Sequence, residues 1–237
     1  KATLVFEDGK YFEGKLFAGS SDQEGEVVFN TAMSGYQEVL TDPSYKGQMV
    51  VMTYPMIGNY GINDEDNESR QIFLSALIVK EYVDHYSNWR ATKSLKTYLN
   101  EHNIPGVEGI DTRALTKYIR ESGAKNAILS TSDMPIEFLI EKAKLAQGVN
   151  GKNLAKDVTC DTTYKWKNIE APKYKVAVID CGVKYNILNN LTKRGCMCEV
   201  LPSNTTAADI LSKNYDGLFI SNGPGDPAAV NEVIELV

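Results

Sequence analysis

The chain has 237 residues, enough for one large core or two modest ones, and its 43% hydrophobic and 24% charged content is ordinary for a globular protein. A formal net charge of −6 and a pI near 5.1 argue against a chain that coats nucleic acid or an anionic membrane surface. The longest apolar stretches, residues 49–52 and 72–79, are too short to cross a bilayer. No basic-then-apolar leader opens the sequence, so no secretion signal is expected. Cys160, Cys181, Cys196 and Cys198 all lie in the last third without C-x-x-C spacing, and the two histidines, His85 and His102, are far upstream. A zinc site is not expected, and a reducing cytoplasm is the natural compartment.

In chain order, residues 4–6 and 11–17 flank Asp8-Gly9, the pattern of a hairpin with a two-residue turn. Residues 26–30, 48–53 and 72–79 are further strand candidates. Two segments, 29–45 and 54–61, are dense in polar and aromatic side chains without clean periodicity, and are expected to run over the surface between core strands. A helix is expected over 92–101, with Leu95, Tyr98 and Leu99 on one face. Asp111 can cap a helix over 112–121, whose Leu115, Tyr118 and Ile119 form an apolar stripe with Gly123 past its end. Residues 127–130 read as a returning strand. Asp133 is then expected to cap a helix over 136–146, with Pro135 in its first turn and Gly148 as the stop.

From residue 148 to 173 the chain becomes a polar connector with weak periodicity. Beyond it the rhythm is strand (175–180), helix (184–194), strand (197–201), short helix (206–213), strand (216–220), the start of a doubly wound α/β sheet. We therefore expect a first domain over 1–150, a linker over 151–173 and a second domain over 174–237, with the boundary near residue 155 to within several residues. Residues 232–237 read as a helix just begun after Pro227, with no cap, glycine or proline to close it, so a longer polypeptide is expected.

The stretch richest in information is the apolar run Gly217 to Ile220, which leads straight into Asn222-Gly223-Pro224-Gly225-Asp226-Pro227. A run without polar alternation is expected of a strand buried on both faces of a parallel sheet. Such strands end at the carboxyl edge, where ligands bind, and two glycines around a proline let the backbone approach a ligand with its N–H groups uncovered. A strand-to-helix loop also carries Gly and Pro for geometry alone, so the Gly-Pro-Gly element by itself leaves both readings open.

Asp180-Cys181-Gly182 ends the earlier strand and continues as neither G-x-G-x-x-G nor a P-loop, which disfavours a dinucleotide site. Asp180 could serve a phospho-receiver, but Ser221-Asn222 stand where that chemistry needs an aspartate. Cys181 lacks a G-x-C-x-G elbow and a local histidine base, so it is expected to be a packing cysteine, as are the other three.

The 221–227 turn closely resembles the oxyanion-side loop of class I glutamine amidotransferases. Taken with residues 29–45, 54–61 and 109–116 (Gly109-Ile110-Asp111-Thr112-Arg113-Ala114-Leu115-Thr116), it makes the whole chain similar to the small, glutamine-hydrolysing subunits of carbamoyl-phosphate synthetases. Met56 departs from the pattern, standing where related chains often carry His. The resemblance implies a subunit-specific β/α domain of the swivelling type, followed by the first part of a flavodoxin-like amidotransferase domain. It implies a Cys–His–Glu triad working through a γ-glutamyl thioester. Ammonia would pass through a tunnel to a large subunit, forming a heterodimer. There ATP, Mg and bicarbonate would be used to make carbamoyl phosphate for arginine and pyrimidine synthesis. No cofactor or metal is implied in this chain, and no nucleic-acid or membrane partner.

By matching motif positions, Ser44, Gly223 and Gly225 should contact L-glutamine. The nucleophile of the family lies in a G-x-C-x-G-x-Q segment after the turn, and neither that segment nor the later His and Glu falls within residues 1–237, so no catalytic residue is assigned. The competing reading is a non-enzymatic flavodoxin-like signalling or binding module fused to a scaffold domain. A thiolate elbow downstream of Val237, with a later His-x-Glu pair, would decide between them.

Overall fold

A computed structural model describes all 237 residues. It divides into two units: one comprises residues 1–41, 47–67 and 71–149, and the other residues 42–46, 68–70 and 150–237.

The first unit contains strands β1 (Ala2–Phe6), β2 (Tyr11–Ala18) and β3 (Gln23–Asn30), helix α1 (Tyr36–Thr41), and strands β4 (Gln48–Met52), β5 (Met56–Ile57), β6 (Ala76–Ile78) and β7 (Glu81–Tyr82). Helix α2 (Leu95–Glu101), β8 (Gly106–Glu108), α3 (Thr112–Ser122), β9 (Lys125–Ser130) and α4 (Ile136–Leu145) complete it. Seven strands close a barrel in the order β1-β2-β8-β6-β4-β3-β9. The β3-β4-β6-β8 series is parallel, and every other pairing within the barrel is antiparallel. β1 is buried along its whole length because both faces are covered. Leu4 and Phe6 join the barrel interior, while Val5 packs with Leu139 and Ala143 of α4. Leu115 and Ile119 turn the apolar stripe of α3 into the same interior.

Local signals place α3 well: Asp111 Oδ1 accepts from the Ala114 N–H at 2.9 Å, and Gly123 ends the helix at φ +82°. Several expectations need correction. The first hairpin has a three-residue loop, not two: Val5 faces Tyr11, the Phe6 N–H donates to Lys10 O at 2.8 Å, and Gly9 takes φ +87°. A glycine third in the loop permits the left-handed residue that a type I turn with a bulge requires. Asp133 does not cap α4. Pro135 holds the N-cap position and makes no side-chain bond there, so Asp133 lies two residues outside capping range. Of residues 72–79 only β6 is strand, although Ile72, Phe73 and Leu74 are buried.

The segments 29–45 and 54–61 are not plain surface loops. Tyr36 is 1% exposed and stacks on Tyr60 with ring centroids 4.0 Å apart. The Tyr36 hydroxyl donates to Gly61 O at 2.7 Å, and the Tyr60 hydroxyl accepts from the Gly35 and Tyr36 N–H groups. Burial pushes the Tyr60 phenol up to about 12 and the Tyr36 phenol higher still. Both rings stay neutral and serve as a buried clamp.

Asp8, in the first hairpin loop, gives a pH-dependent contact. Burial pushes its carboxyl up, but hydrogen bonds from Lys125 and Tyr118 outweigh it and hold the group at about 2. A depressed carboxyl contributes stability that is present above its ordinary value of 3.8 and lost as pH falls through about 2. Acid titration monitored by circular dichroism should therefore show a steeper loss for the parent than for Asp8→Asn in that window. Equal slopes would remove Asp8 from the acid response. The contribution is modest because the side chain is 38% exposed.

The second unit holds helix α5 (Ala155–Val158), strands β10 (Tyr164–Lys165) and β11 (Tyr174–Asp180), α6 (Tyr185–Lys193), β12 (Cys196–Pro202), α7 (Ala207–Leu211), β13 (Gly217–Ile220) and α8 (Asn231–Ile234). Its sheet runs β10-β12-β11-β13, with β12, β11 and β13 parallel and β10 antiparallel at the edge. Residues 151–173, expected as a linker, carry α5 with Ala155 and Val158 buried, together with the edge strand β10. β13 pairs with β11 at the other end of this sheet, and its Phe219 packs against the sheet's apolar cluster. No helix is long and apolar enough to cross a membrane.

Candidate functional site

β11 is flanked by β12 on one side and β13 on the other, so the chain winds first one way and then the other from it. The carboxyl ends of β11 and β13 therefore border the topological switch point, where open α/β sheets bind ligands. Two turns leave these ends, at 180–183 and at 221–226.

The first turn is built on Asp180, which is 4% exposed. Its Oδ1 accepts from the Gly182 and Val183 N–H groups at 2.9 and 2.8 Å, and its Oδ2 from the Cys160 N–H at 2.8 Å. Both carboxylate oxygens accept from the backbone, which gives Asp180 a structural role. The first turn is tied to the second through Ser221. Its Oγ accepts from the Cys181 N–H at 2.9 Å and donates to Asn222 O at 2.8 Å.

The second turn needs its glycines. A Cβ on Gly223 would lie 2.1 Å from Cys181 O, and Gly225 sits at φ +76° with Lys152 O 2.9 Å from where a Cβ would be. Neither the Gly223 nor the Gly225 N–H is spent on a protein acceptor. Both remain able to donate to a ligand. Pro224, Cys181, Ile220 and Val233 stand around them.

Ser44 reaches this turn because residues 42–46 belong to the same unit. Asp42 N-caps the short 3₁₀ turn Pro43–Tyr45, its Oδ1 accepting from the Ser44 N–H at 2.9 Å. Its Oδ2 accepts from Lys184 Nζ at 3.0 Å. The Ser44 Oγ then accepts from Asn222 Nδ2 at 3.0 Å, next to Gly223. The three residues singled out from the sequence thus stand around one turn. Sequence reasoning missed Asn222, Ser221, Asp42 and Lys184, which hold them. The Asp-Pro-Ser order was a readable signal for the 3₁₀ cap; the Asn222 bond had none.

Cys181 is 7% exposed, and burial, then the Asp180 and Glu232 charges, push its thiol up to about 11. At about pH 8 only roughly one thiol in a thousand would be ionised, far too few for a nucleophile. Cys160 and Cys198 are pushed up to about 12 and about 11, chiefly by burial. Iodoacetamide labelling at that pH, read by mass spectrometry, should leave Cys181 unmodified until denaturant is added. Rapid labelling of the native protein would contradict the packing role.

Residues 177–237 match the family description "Glutamine amidotransferase class-I", which is the class this sheet and its glycine turn define. Residues 4–129 match "Carbamoyl-phosphate synthase small chain, CPSase domain". The chain belongs to the carbamoyl-phosphate synthase small chain family. It is 49% identical to the carbamoyl phosphate synthase small chain of Syntrophotalea carbinolica, covering 100% of this chain and 66% of that protein. It is 47% identical to the one from Aquifex aeolicus, over 99% of this chain and 66% of that protein. The small chain of Salmonella typhi is 43% identical, over 100% and 66%. The chain thus spans about two thirds of the length of these relatives.

Proposed function

We propose that the protein is the glutaminase subunit of a carbamoyl-phosphate synthase, hydrolysing L-glutamine to glutamate and ammonia. The observation that carries this is the pair of uncommitted N–H groups at Gly223 and Gly225, on a turn whose Asn222 side chain donates to the Ser44 hydroxyl. A hydroxyl and two main-chain donors on a glycine turn suit the binding of glutamine and the steadying of a carbonyl oxygen as it becomes negative. Ammonia would pass to a large subunit, which uses ATP, Mg and bicarbonate to make carbamoyl phosphate for arginine and pyrimidine synthesis in the cytoplasm. Family membership disfavours the alternative of a non-enzymatic signalling module.

Residues 1–237 hold no G-x-C-x-G-x-Q segment, so by themselves they are expected to bind glutamine weakly and not to hydrolyse it. The test is glutaminase activity of the complete polypeptide with and without its large partner. Activity that rises with the partner, and falls at least about tenfold at subsaturating glutamine for Ser44→Ala, supports the reading. Flat or absent activity in both conditions overturns it.

A further inference from the structure

In the barrel unit, a hollow of about 390 Å³ opens beside α3. Its lining is Thr31, Thr53, Thr116, Arg113, Lys117 and Arg120. Thr31 and Thr53 directly follow the last residues of β3 and β4, which are parallel neighbours, so the hollow lies at the carboxyl ends of two parallel strands. Arg113, Lys117 and Arg120 fall at i, i+4 and i+7 on α3, one face of the helix, with Thr116 between them.

Three features set this hollow apart from an ordinary charged surface. No carboxylate lines it, although the chain as a whole has 31 acidic residues against 25 basic ones. Arg113 stands in the first turn of α3, where the helix dipole disfavours a cation, and the Asp111 N-cap carboxylate is engaged with the Ala114 N–H and makes no ion pair with it. Neither Arg113 nor Arg120 makes an ion pair; Lys117 reaches Glu121 only at 3.8 Å, with both side chains more than 60% exposed. Independently of the charges, the Thr116 Oγ1 is shut off from solvent and has no hydrogen-bond partner. A hydroxyl left so is unusual, since buried polar groups are nearly always satisfied.

We infer that this hollow binds a small phosphate-bearing molecule, its oxygens taken by the two guanidinium groups and the Thr31 and Thr53 hydroxyls. Guanidinium forks match phosphate oxygens two at a time, and hydroxyls add donors of adjustable direction. The carboxyl ends of parallel strands are where α/β folds place such ligands. The volume falls within the range of small-molecule sites and exceeds the needs of a lone phosphate ion, which favours a diphosphate or an organic phosphate.

Isothermal titration of the protein at constant ionic strength, with chloride as the balancing anion, would use inorganic phosphate, pyrophosphate and ribose 5-phosphate as probes. Saturable binding is expected, tightest for pyrophosphate or the sugar phosphate. The double variant Arg113→Gln/Arg120→Gln should weaken it at least about tenfold. The matching Lys pair should restore part of the affinity. Both arginines are exposed, so the variants should keep the parent circular dichroism and thermal midpoint. Glutamine binding at the other unit should be unchanged in them, and phosphate binding unchanged in Ser44→Ala, so this inference and the glutaminase reading fail separately. No saturable binding by any probe, or equal binding by the Gln pair, overturns the proposal. Tighter binding of a polyglutamate peptide than of every phosphate probe also overturns it, in favour of an acidic protein segment.

Discussion

Replacing Gly223 by alanine is expected to destabilise the second unit by about 3 kcal/mol and to abolish glutamine binding in the complete protein. The added methyl would sit 2.1 Å from Cys181 O and 3.0 Å from its carbonyl carbon, distances no relaxed Cβ adopts. The Cys181 peptide cannot swing away cheaply. Its N–H is held by Ser221 Oγ, and its neighbour Gly182 is held by Asp180. The carboxyl ends of β11 and β13 must therefore part, carrying the Gly223 and Gly225 N–H groups away from Ser44. Urea unfolding followed by Trp166 fluorescence, in a Trp89→Phe background, would read the stability, since Trp166 lies in this unit and Trp89 in the other. Gly225→Ala should cost less, because its closest atom, Lys152 O, is 2.9 Å away and the strain comes from φ +76°. A Gly223→Ala protein with parent stability and intact glutamine binding would sink the proposed geometry.

Asp180→Ala is the second change with a large effect, and it acts without touching any ligand. Three N–H groups, buried at Gly182 and Val183 and part-buried at Cys160, would lose their acceptor at once. Each unsatisfied buried donor costs about 1–3 kcal/mol, and because the three are neighbours the sum is not additive, so a net loss of about 4 kcal/mol is expected. Asp180→Asn separates the contributions. The amide can keep an oxygen facing Gly182 and Val183, but must then turn an NH₂ toward the Cys160 N–H, and it should lose about 1–2 kcal/mol. The stability order parent, Asn, Ala, read from the same urea transitions, tests the assignment. An Ala variant no less stable than the Asn variant would contradict it.

Both predictions depend on parts of the molecule that differ in how plainly the sequence announces them. Capping and periodicity are local, so Asp111, the Leu115–Ile119 stripe and Gly123 mark α3 without help from the rest of the chain. The alternation of strands and helices from β11 to β13 is readable for the same reason, as is a glycine turn at the end of an apolar strand. Where the local signal was ambiguous, packing decided. The Asp8-Gly9 hairpin took three loop residues, and Asp133 yielded the cap of α4 to Pro135.

Other features depend on partners distant in sequence, and no window of residues contains them. Closing seven strands into a barrel requires β1 to pair with β9, more than a hundred residues later. The Ser44 hydroxyl and Asn222 are 178 positions apart, and nothing in either residue type names the other. Composition and local pattern thus determined the class of the second unit and the chemistry available at its turn. Tertiary packing alone brought a serine, a capping aspartate and two glycines to one sheet edge, because burial and hydrogen bonding act through space and not along the chain.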